Sequence, residues 1–263
     1  MLASPGQRNS ERHITQPKWT TVGLVQRQIK ERGGAVSVAL DWGITGIKTA
    51  PGEHICGLYA NQMQRDQIML PFLAAGLAAG DKCICVVDGT DPAEVVAALG
   101  AHTHTDKPVA DKQLEVIRAF DMYLRSGTFS ADEVIGSWKA MISDVMYDGR
   151  FDVVRAVEAW SRRDVVPDMD ELMALETEMN LFLPLFPQVV VCLYDIDRFG
   201  SGIIVNLLKT HPRMLVGGML VENPYYLSPD ELLQRAERGD PETADTEITE
   251  AARWYFDETT GSN

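Results

Sequence analysis

Short apolar runs alternate along this chain with longer segments whose apolar residues recur at helical spacing. The runs that predict buried strands cover residues 54–59, 82–88, 114–120, 151–160, 188–195 and 213–221. Between several of them, apolar side chains fall on one face of a predicted helix, as in residues 62–79, 130–148 and 168–183. Strands that alternate with helices favour an α/β domain with three layers and a mainly parallel sheet.

The alternation weakens toward both ends of the chain, which predicts three regions. Residues 1–34 are mostly polar and predict a flexible extension that contains one short amphipathic helix. Residues 35–228 hold all the predicted core strands and should form the α/β domain. Residues 229–263 are rich in Asp and Glu and predict an acidic, partly helical C-terminal extension.

Composition and charge narrow the function classes. The 263 residues are 45% hydrophobic, which is enough to bury a large core, and the formal net charge is −14. A surface with this much negative charge repels phosphate groups. We therefore expect that the chain does not bind nucleic acid directly. We also expect no membrane span, because no apolar run reaches 18 residues. The four cysteines lie in strand-like segments, a pattern typical of a reducing compartment, and residues 1–19 do not contain the apolar core of a secretory signal. We therefore expect the protein in the cytoplasm.

The first core strand lacks the glycine-rich turn that binds phosphate in many nucleotide-binding α/β proteins. The turn after HICGLY reads Ala-Asn-Gln and contains no lysine. The string most similar to a phosphate loop, GITGIKT at residues 43–49, has one residue too many before its lysine and runs into Ala-Pro-Gly instead of a helix. We therefore expect no significant ATP hydrolysis and only weak nucleotide affinity.

Ligands of parallel sheets bind at the carboxyl ends of the strands, so polar and aromatic residues there are candidate ligand contacts. The chain offers the following residues on or near those ends: Tyr59, Arg155, Glu158, Trp160, Asp195 and Arg198. Charged residues in a buried strand are normally paired. Arg155 and Glu158 therefore either form an internal ion pair with Asp195 or Arg198, or line the floor of a polar pocket.

His54 and Cys56 are two residues apart in a predicted strand, so their side chains share a face. Such a pair can hold a soft metal ion or recognise a small polar group. The alternative is a cysteine that packs as a small apolar residue beside a hydrogen-bonded histidine. Cys83, Cys85 and Cys192 could join this pair in a metal cluster if their strands are neighbours, but no C-x-x-C spacing occurs, so core packing is the favoured interpretation for these three. His211 is expected to bond free carbonyls at a helix C-terminus.

Several separated motifs occur in the order found in one known family. HICGLY, FLAAGLAAGDKCICVV, RAVEAW, VCLYDIDRF, THP and ENPYY resemble the MEDS domain, the methanogen/methylotroph, DcmR sensory domain, over about residues 40–233. The resemblance implies a RecA/KaiC-type core without a working phosphate loop, and a role in sensing small hydrocarbon derivatives. It also implies that His54 and Cys56 are ligand residues.

Three function classes follow. The leading hypothesis is a non-catalytic sensory module that binds a small ligand or registers a redox signal and passes it to a regulatory partner protein. The second is a protein-binding regulator or anti-sigma-type scaffold with a vestigial pocket. The third is a divergent nucleotidase or cysteine hydrolase, which the missing lysine and the missing G-x-S-x-G elbow disfavour. No specific cofactor is indicated, His54 and Cys56 are the candidate metal ligands, and a homo-oligomer is compatible with each class.

Overall fold

The computed structural model describes residues 39–124, 127–161, 169–200 and 202–229, with residues 231, 234, 235 and 238. The predicted helix at residues 20–32 and nearly all of the predicted acidic extension lie outside these residues. The strands are β1 Leu40–Asp41, β2 Lys48–Thr49, β3 His54–Tyr59, β4 Lys82–Val87, β5 Leu114–Arg118, β6 Val154–Trp160, β7 Gln188–Asp195, β8 Arg213–Val216 and β9 Met219–Glu222.

Helices follow most of the strands. They are α1 Gln62–Ala79, α2 Pro92–Leu99, α3 Asp106–Ala110, α4 Ala119–Tyr123, α5 Ala131–Asp148, α6 Met169–Phe182, α7 Ile196–Phe199 and α8 Gly202–Thr210, with a 3-10 turn at Leu183–Leu185. Among the described residues, no helix is both long enough and apolar enough to cross a membrane.

Seven strands form the main sheet in the order β5-β4-β6-β7-β3-β8-β9. All neighbouring pairs are parallel except β8 and β9, which form an antiparallel hairpin at one edge. The predicted α/β class with a mainly parallel sheet is therefore confirmed. The single strand predicted over residues 213–221 is wrong, because Gly217 and Gly218 adopt positive φ angles and reverse the chain there.

The sheet separates two apolar cores, which makes the domain three-layered. One core packs residues of α1, α2 and the β1–β2 ribbon against one face of the sheet. The other packs residues of α4, α5, α6 and α8 against the opposite face. Side chains alternate between the two faces along each strand, so the position of a residue in its strand decides which core it enters.

The turn between β3 and α1 occupies the place of a phosphate loop. Its helix begins at a cap residue, Asn61, whose side chain accepts a hydrogen bond from Gln64 N at 3.0 Å. The Gln64 side chain in turn accepts one from Ala60 N at 2.9 Å. This reciprocal cap satisfies two of the backbone N–H groups at the turn that would otherwise be free to bind an anion. Residues 43–49, the string with a partial phosphate-loop pattern, lie in the β1–β2 ribbon. They are therefore not part of the turn that joins β3 to α1, where a phosphate loop would lie.

Candidate ligand-binding site

A row of polar side chains crosses the middle of the sheet on the face covered by α5, α6 and α8. Cα pairing aligns Glu158 on β6 with Cys192 on β7, and Cys192 with Cys56 on β3. His54 precedes Cys56 by two residues and therefore lies on the same face. All four side chains are buried. His54 is the first residue of β3, so the row lies in the central and amino-terminal part of the sheet and not at the carboxyl ends.

Two further residues reach this row from the covering layer. Glu176 projects from α6, and His211 directly follows the last residue of α8. The Glu176 Oε2 atom lies 3.1 Å from His54 Nε2 and 3.1 Å from His211 Nε2. The Cys192 Sγ atom lies 3.3 Å from His54 Nε2. These residues, His54, Glu176, Cys192 and His211, are called the buried cluster below.

The hydrogen bonds on the outer side of each imidazole fix its tautomer. Asn180 Nδ2 donates to the carbonyls of Glu176, at 3.1 Å, and Thr210, so its Oδ1 is left to accept from His54 Nδ1 at 3.0 Å. His211 Nδ1 lies 3.0 Å from the carbonyl oxygen of Leu207, which can only accept. Each Nδ1 therefore carries the proton of the neutral ring, and each Nε2 presents a lone pair to the buried cluster.

The carboxyl groups of the site have opposite pKa shifts. Burial raises the pKa of Glu176, but the imidazoles of His211 and His54 outweigh it and hold that pKa well below its usual range. Burial, followed by the nearby Glu176 charge, raises the pKa of Glu158 to about 7. Among the described ion pairs, neither carboxylate meets a lysine or an arginine. Glu176 is thus a buried anion whose nearest cationic partners are imidazoles that can also be neutral.

The histidine and the cysteines favour their uncharged forms. Burial, followed by the proximity of His211, lowers the pKa of His54. Burial and then the Glu176 charge raise the pKa of the Cys56 thiol, and the same causes, with Glu158, raise the pKa of the Cys192 thiol. A buried thiol with a raised pKa supplies little thiolate and reacts slowly with electrophiles and oxidants. In the absence of a bound cation, the site therefore contains ordinary resting thiols.

Two of the sequence-predicted site residues lie on the opposite face of the sheet. Tyr59 is buried there and donates its hydroxyl proton to the Trp160 carbonyl oxygen at 2.9 Å. Arg155 donates to Asp81 at 2.7 Å and to the Asp41 carbonyl oxygen, so its ion-pair partner is Asp81 and not Asp195 or Arg198. Neither residue reaches the buried cluster.

The remaining predicted residues lie at the carboxyl edge. Trp160 stacks between Tyr123, at a centroid distance of 4.8 Å, and Tyr194, at 6.3 Å. Tyr194 in turn donates its hydroxyl proton to Glu176 Oε1, which links the aromatic stack to the buried cluster. Asp195 caps α7 by accepting from the backbone N–H groups of residues 197 and 198. Arg198 is exposed.

Sequence reasoning did not select Glu176; it favoured core packing for Cys192 and a hydrogen bond to free helix carbonyls for His211. Glu176 could have been found as a polar interruption of the apolar stripe formed by Leu172, Met179 and Leu183, all of which are buried. His211 does bond a helix carbonyl, as expected, but only through Nδ1. The contact between its Nε2 atom and Glu176 could not be predicted from the sequence around residue 211.

A comparison with protein families identifies the class of protein that this fold and site represent. Residues 53–212 match the model of MEDS, the MEthanogen/methylotroph, DcmR Sensory domain. The match covers more than half of the chain, so the chain belongs to the MEDS family. The matched segment contains all members of the buried cluster, with His54 near its start and His211 near its end.

One curated relative is the transcriptional repressor DcmR of Methylorubrum extorquens (strain DSM 6343 / CIP 106787 / DM4), 26% identical over 195 residues. The alignment covers 69% of this chain and 66% of the repressor. Among solved structures, the chain is similar to the flagellar accessory protein FlaH of Methanocaldococcus jannaschii. That similarity has a TM-score of 0.43 and 12% identity over 66% of this chain and 77% of that chain. The family and the repressor together support a sensory or regulatory role.

Proposed function

We propose that this chain is a non-catalytic sensory module in which a small ligand at the buried cluster controls the positions of α6 and α8. The observation that carries the proposal is a buried carboxylate held between two imidazoles and a thiol in the middle of an apolar core. A polar group in such a place is costly unless it is fully paired. Its retention therefore favours a ligand that completes the pairing.

The buried cluster is joined to two helices, and this suggests how a bound ligand would change the structure. Glu176 belongs to α6, His211 ends α8, and Asn180 on α6 donates to the Thr210 carbonyl oxygen at the end of α8. A ligand that draws Glu176 and His211 together would tighten both helices against the sheet. We propose that a regulatory partner protein recognises this difference, since ligands act by stabilising one of two conformations.

A bound ligand is favoured over direct thiol oxidation as the signal. Cys56 and Cys192 are almost wholly inaccessible, and burial raises the pKa of each thiol well above its ordinary value. Redox-sensing cysteines are typically exposed and have lowered pKa values. The side chains of the buried cluster also lie in contact, so the ligand that fits is small.

Thermal unfolding tests this proposal. The purified chain, the His211→Ala variant and the control His104→Ala, whose histidine lies in an exposed loop, are each heated with methanol, methylamine, formate, chloromethane, Zn²⁺, Co²⁺ or Mg²⁺. A ligand at a hundred times its Kd adds about 2.7 kcal/mol, which raises Tm by about 5–10 °C for a domain of this size.

At least one probe should give a saturable rise for the wild type and for His104→Ala, and a much smaller rise for His211→Ala. If no probe stabilises the wild type, the sensory proposal fails. The alternative, a protein-binding regulator with a vestigial site, would then account for the fold better.

A further inference from the structure

Donor atoms from four residues converge on one buried point. His54 Nε2, His211 Nε2, a Glu176 carboxylate oxygen and Cys192 Sγ all lie within 4.8 Å of one another. We propose that the buried cluster binds one divalent transition-metal ion of the zinc type through these four atoms. The regulatory meaning of this ion rests on the proposed function, of which it would be the small ligand.

The spacing of the donor atoms fits a tetrahedral site. Zinc binds nitrogen and oxygen ligands at about 2.0–2.2 Å and sulfur at about 2.3 Å, so adjacent ligands of a tetrahedron lie about 3.3–3.6 Å apart. The corresponding separations are 3.1 Å from Glu176 to each histidine and 3.3 Å from His54 to Cys192. A metal ion can therefore enter with shifts of only a few tenths of an ångström along these edges.

The hydrogen-bond pattern leaves a gap that a cation fills. The Nδ1 protons point outward to Asn180 Oδ1 and the Leu207 carbonyl oxygen, so both Nε2 atoms present lone pairs toward Glu176 Oε2. When both rings are neutral, no proton lies between Glu176 Oε2 and either Nε2 atom, although each pair is only 3.1 Å apart. Lone pairs that face a carboxylate at 3.1 Å repel it unless a proton or a metal ion lies between them.

Charge favours a metal ion over two protons. Protonation of both imidazoles would place two cationic rings 4.2 Å apart, centroid to centroid, in a buried site. A single divalent ion instead contacts all four donors and offsets the charge of Glu176 directly. It also lies near Glu158, whose carboxylate oxygen is 4.0 Å from Cys192 Sγ.

The donor set indicates both the metal class and the type of site. Two imidazole nitrogens, one thiolate and one carboxylate oxygen suit zinc and its neighbours, whereas magnesium and calcium prefer oxygen ligands alone. Four protein ligands fill a tetrahedral shell, so no position remains for an activated water molecule. On binding, the Cys192 thiol releases its proton to solvent and the thiolate bonds to the metal. The site would therefore be a sensory or structural one and not a catalytic one.

The hydrogen bonds made by the two Nδ1 atoms are those expected of histidines that bind a metal ion. Histidine ligands of metals usually donate their second ring N–H to a carbonyl or carboxylate oxygen, which orients the ring. Here Asn180 performs this role for His54, and the C-terminal turn of α8 performs it for His211. Both imidazoles are thus oriented by these hydrogen bonds before the metal arrives.

Cobalt binding tests the proposal with a spectroscopic signature. The full chain is stripped with chelator and titrated with Co²⁺, and its visible and near-ultraviolet absorption is recorded. Elemental analysis determines the metal content in parallel. Cys192→Ser and His211→Ala remove ligands. The matched control Cys56→Ser changes a buried cysteine on the neighbouring strand that lies outside the ligand set.

The wild type and Cys56→Ser should bind one equivalent of metal, with the intense visible bands of tetrahedral cobalt and a thiolate-to-cobalt charge-transfer band. Cys192→Ser should lose the charge-transfer band, and His211→Ala should bind at least about 100-fold more weakly. A folded wild-type chain that binds no metal overturns the proposal. So does a charge-transfer band that survives Cys192→Ser and disappears in Cys56→Ser.

The metal site and the sensory role fail in different ways. If a small compound stabilises the chain through His211 but Co²⁺ does not bind, the metal site is wrong and the sensory role stands. If the metal binds through these residues but its removal leaves α6 and α8 unchanged, the site stands and the sensory role is wrong.

Discussion

In this domain, polar side chains on the strands meet only when their strands direct them to the same face of the sheet. His54 and Tyr59 belong to the same strand but point into opposite cores, and Arg155 and Glu158 are separated in the same way. The strand pattern predicted that His54 and Cys56 share one face. It could not supply Glu176 or His211, because the sequence does not show where a helix residue will lie against a sheet.

Cys56 provides a prediction at the residue scale. Its side chain is fully buried, and burial raises its thiol pKa, so its alkylation requires unfolding. Because unfolding costs about 5 kcal/mol or more, alkylation of Cys56 by iodoacetamide should be at least about 4,000-fold slower in buffer than in denaturant. Peptide mapping by mass spectrometry measures each cysteine separately, and His54→Ala should lower the ratio only by as much as it lowers the free energy of unfolding. Rapid modification of Cys56 in the native state would show that it lies in an open pocket.

At the scale of elements, the difference between the predicted and observed structure is largest at the β8–β9 hairpin. The apolar run from Arg213 to Val221 resembles one buried strand, but two consecutive glycines interrupt it. Their φ angles of 57° and 77° match the two-residue turns that join antiparallel strands. A Gly-Gly pair between apolar runs is itself a hairpin signal. The helix-flanked strands β4 and β7 carried no comparable ambiguity, because each is an almost wholly apolar run.

The hairpin turn can be tested by substitution. Gly218→Val places a β-branched residue at a φ of 77°, which should lower the free energy of unfolding by about 1–2 kcal/mol. Gly136 is the matched control: it lies within α5, and an added Cβ would meet no atom within 4 Å. Gly136→Ala should raise stability by about 0.5–1 kcal/mol. Urea unfolding measures both changes, and a Gly218→Val variant as stable as the wild type would exclude this turn geometry.

At the scale of the whole molecule, the fold class was predictable and the site was not. Strands that are buried on both faces are rich in apolar residues, so they can be located from the sequence. Their alternation with helices predicts the three layers. The buried cluster depends on register between strands and on helix docking, which arise only when the chain is folded. The domain boundaries at residues 35 and 228 remain a prediction, because most of the chain outside them is not described.

The two faces of the sheet differ in the polar groups that they carry. Every residue of the buried cluster lies on the face covered by α6 and α8, whereas α1 and α2 cover an apolar core without it. Occupation of the cluster should therefore stabilise one layer of the domain and leave the other unchanged. This asymmetry is the physical basis of the proposed sensory role.

Amide hydrogen exchange of the metal-loaded and metal-stripped chain, resolved by peptide, tests this claim most directly. Stripping should speed exchange in residues 169–182 and 202–210 by at least about tenfold, equivalent to about 1.4 kcal/mol of local stability. Residues 62–79 and 92–99, on the opposite face, should exchange at unchanged rates. Equal acceleration on both faces, or none on either, would contradict the claim that the buried cluster controls α6 and α8.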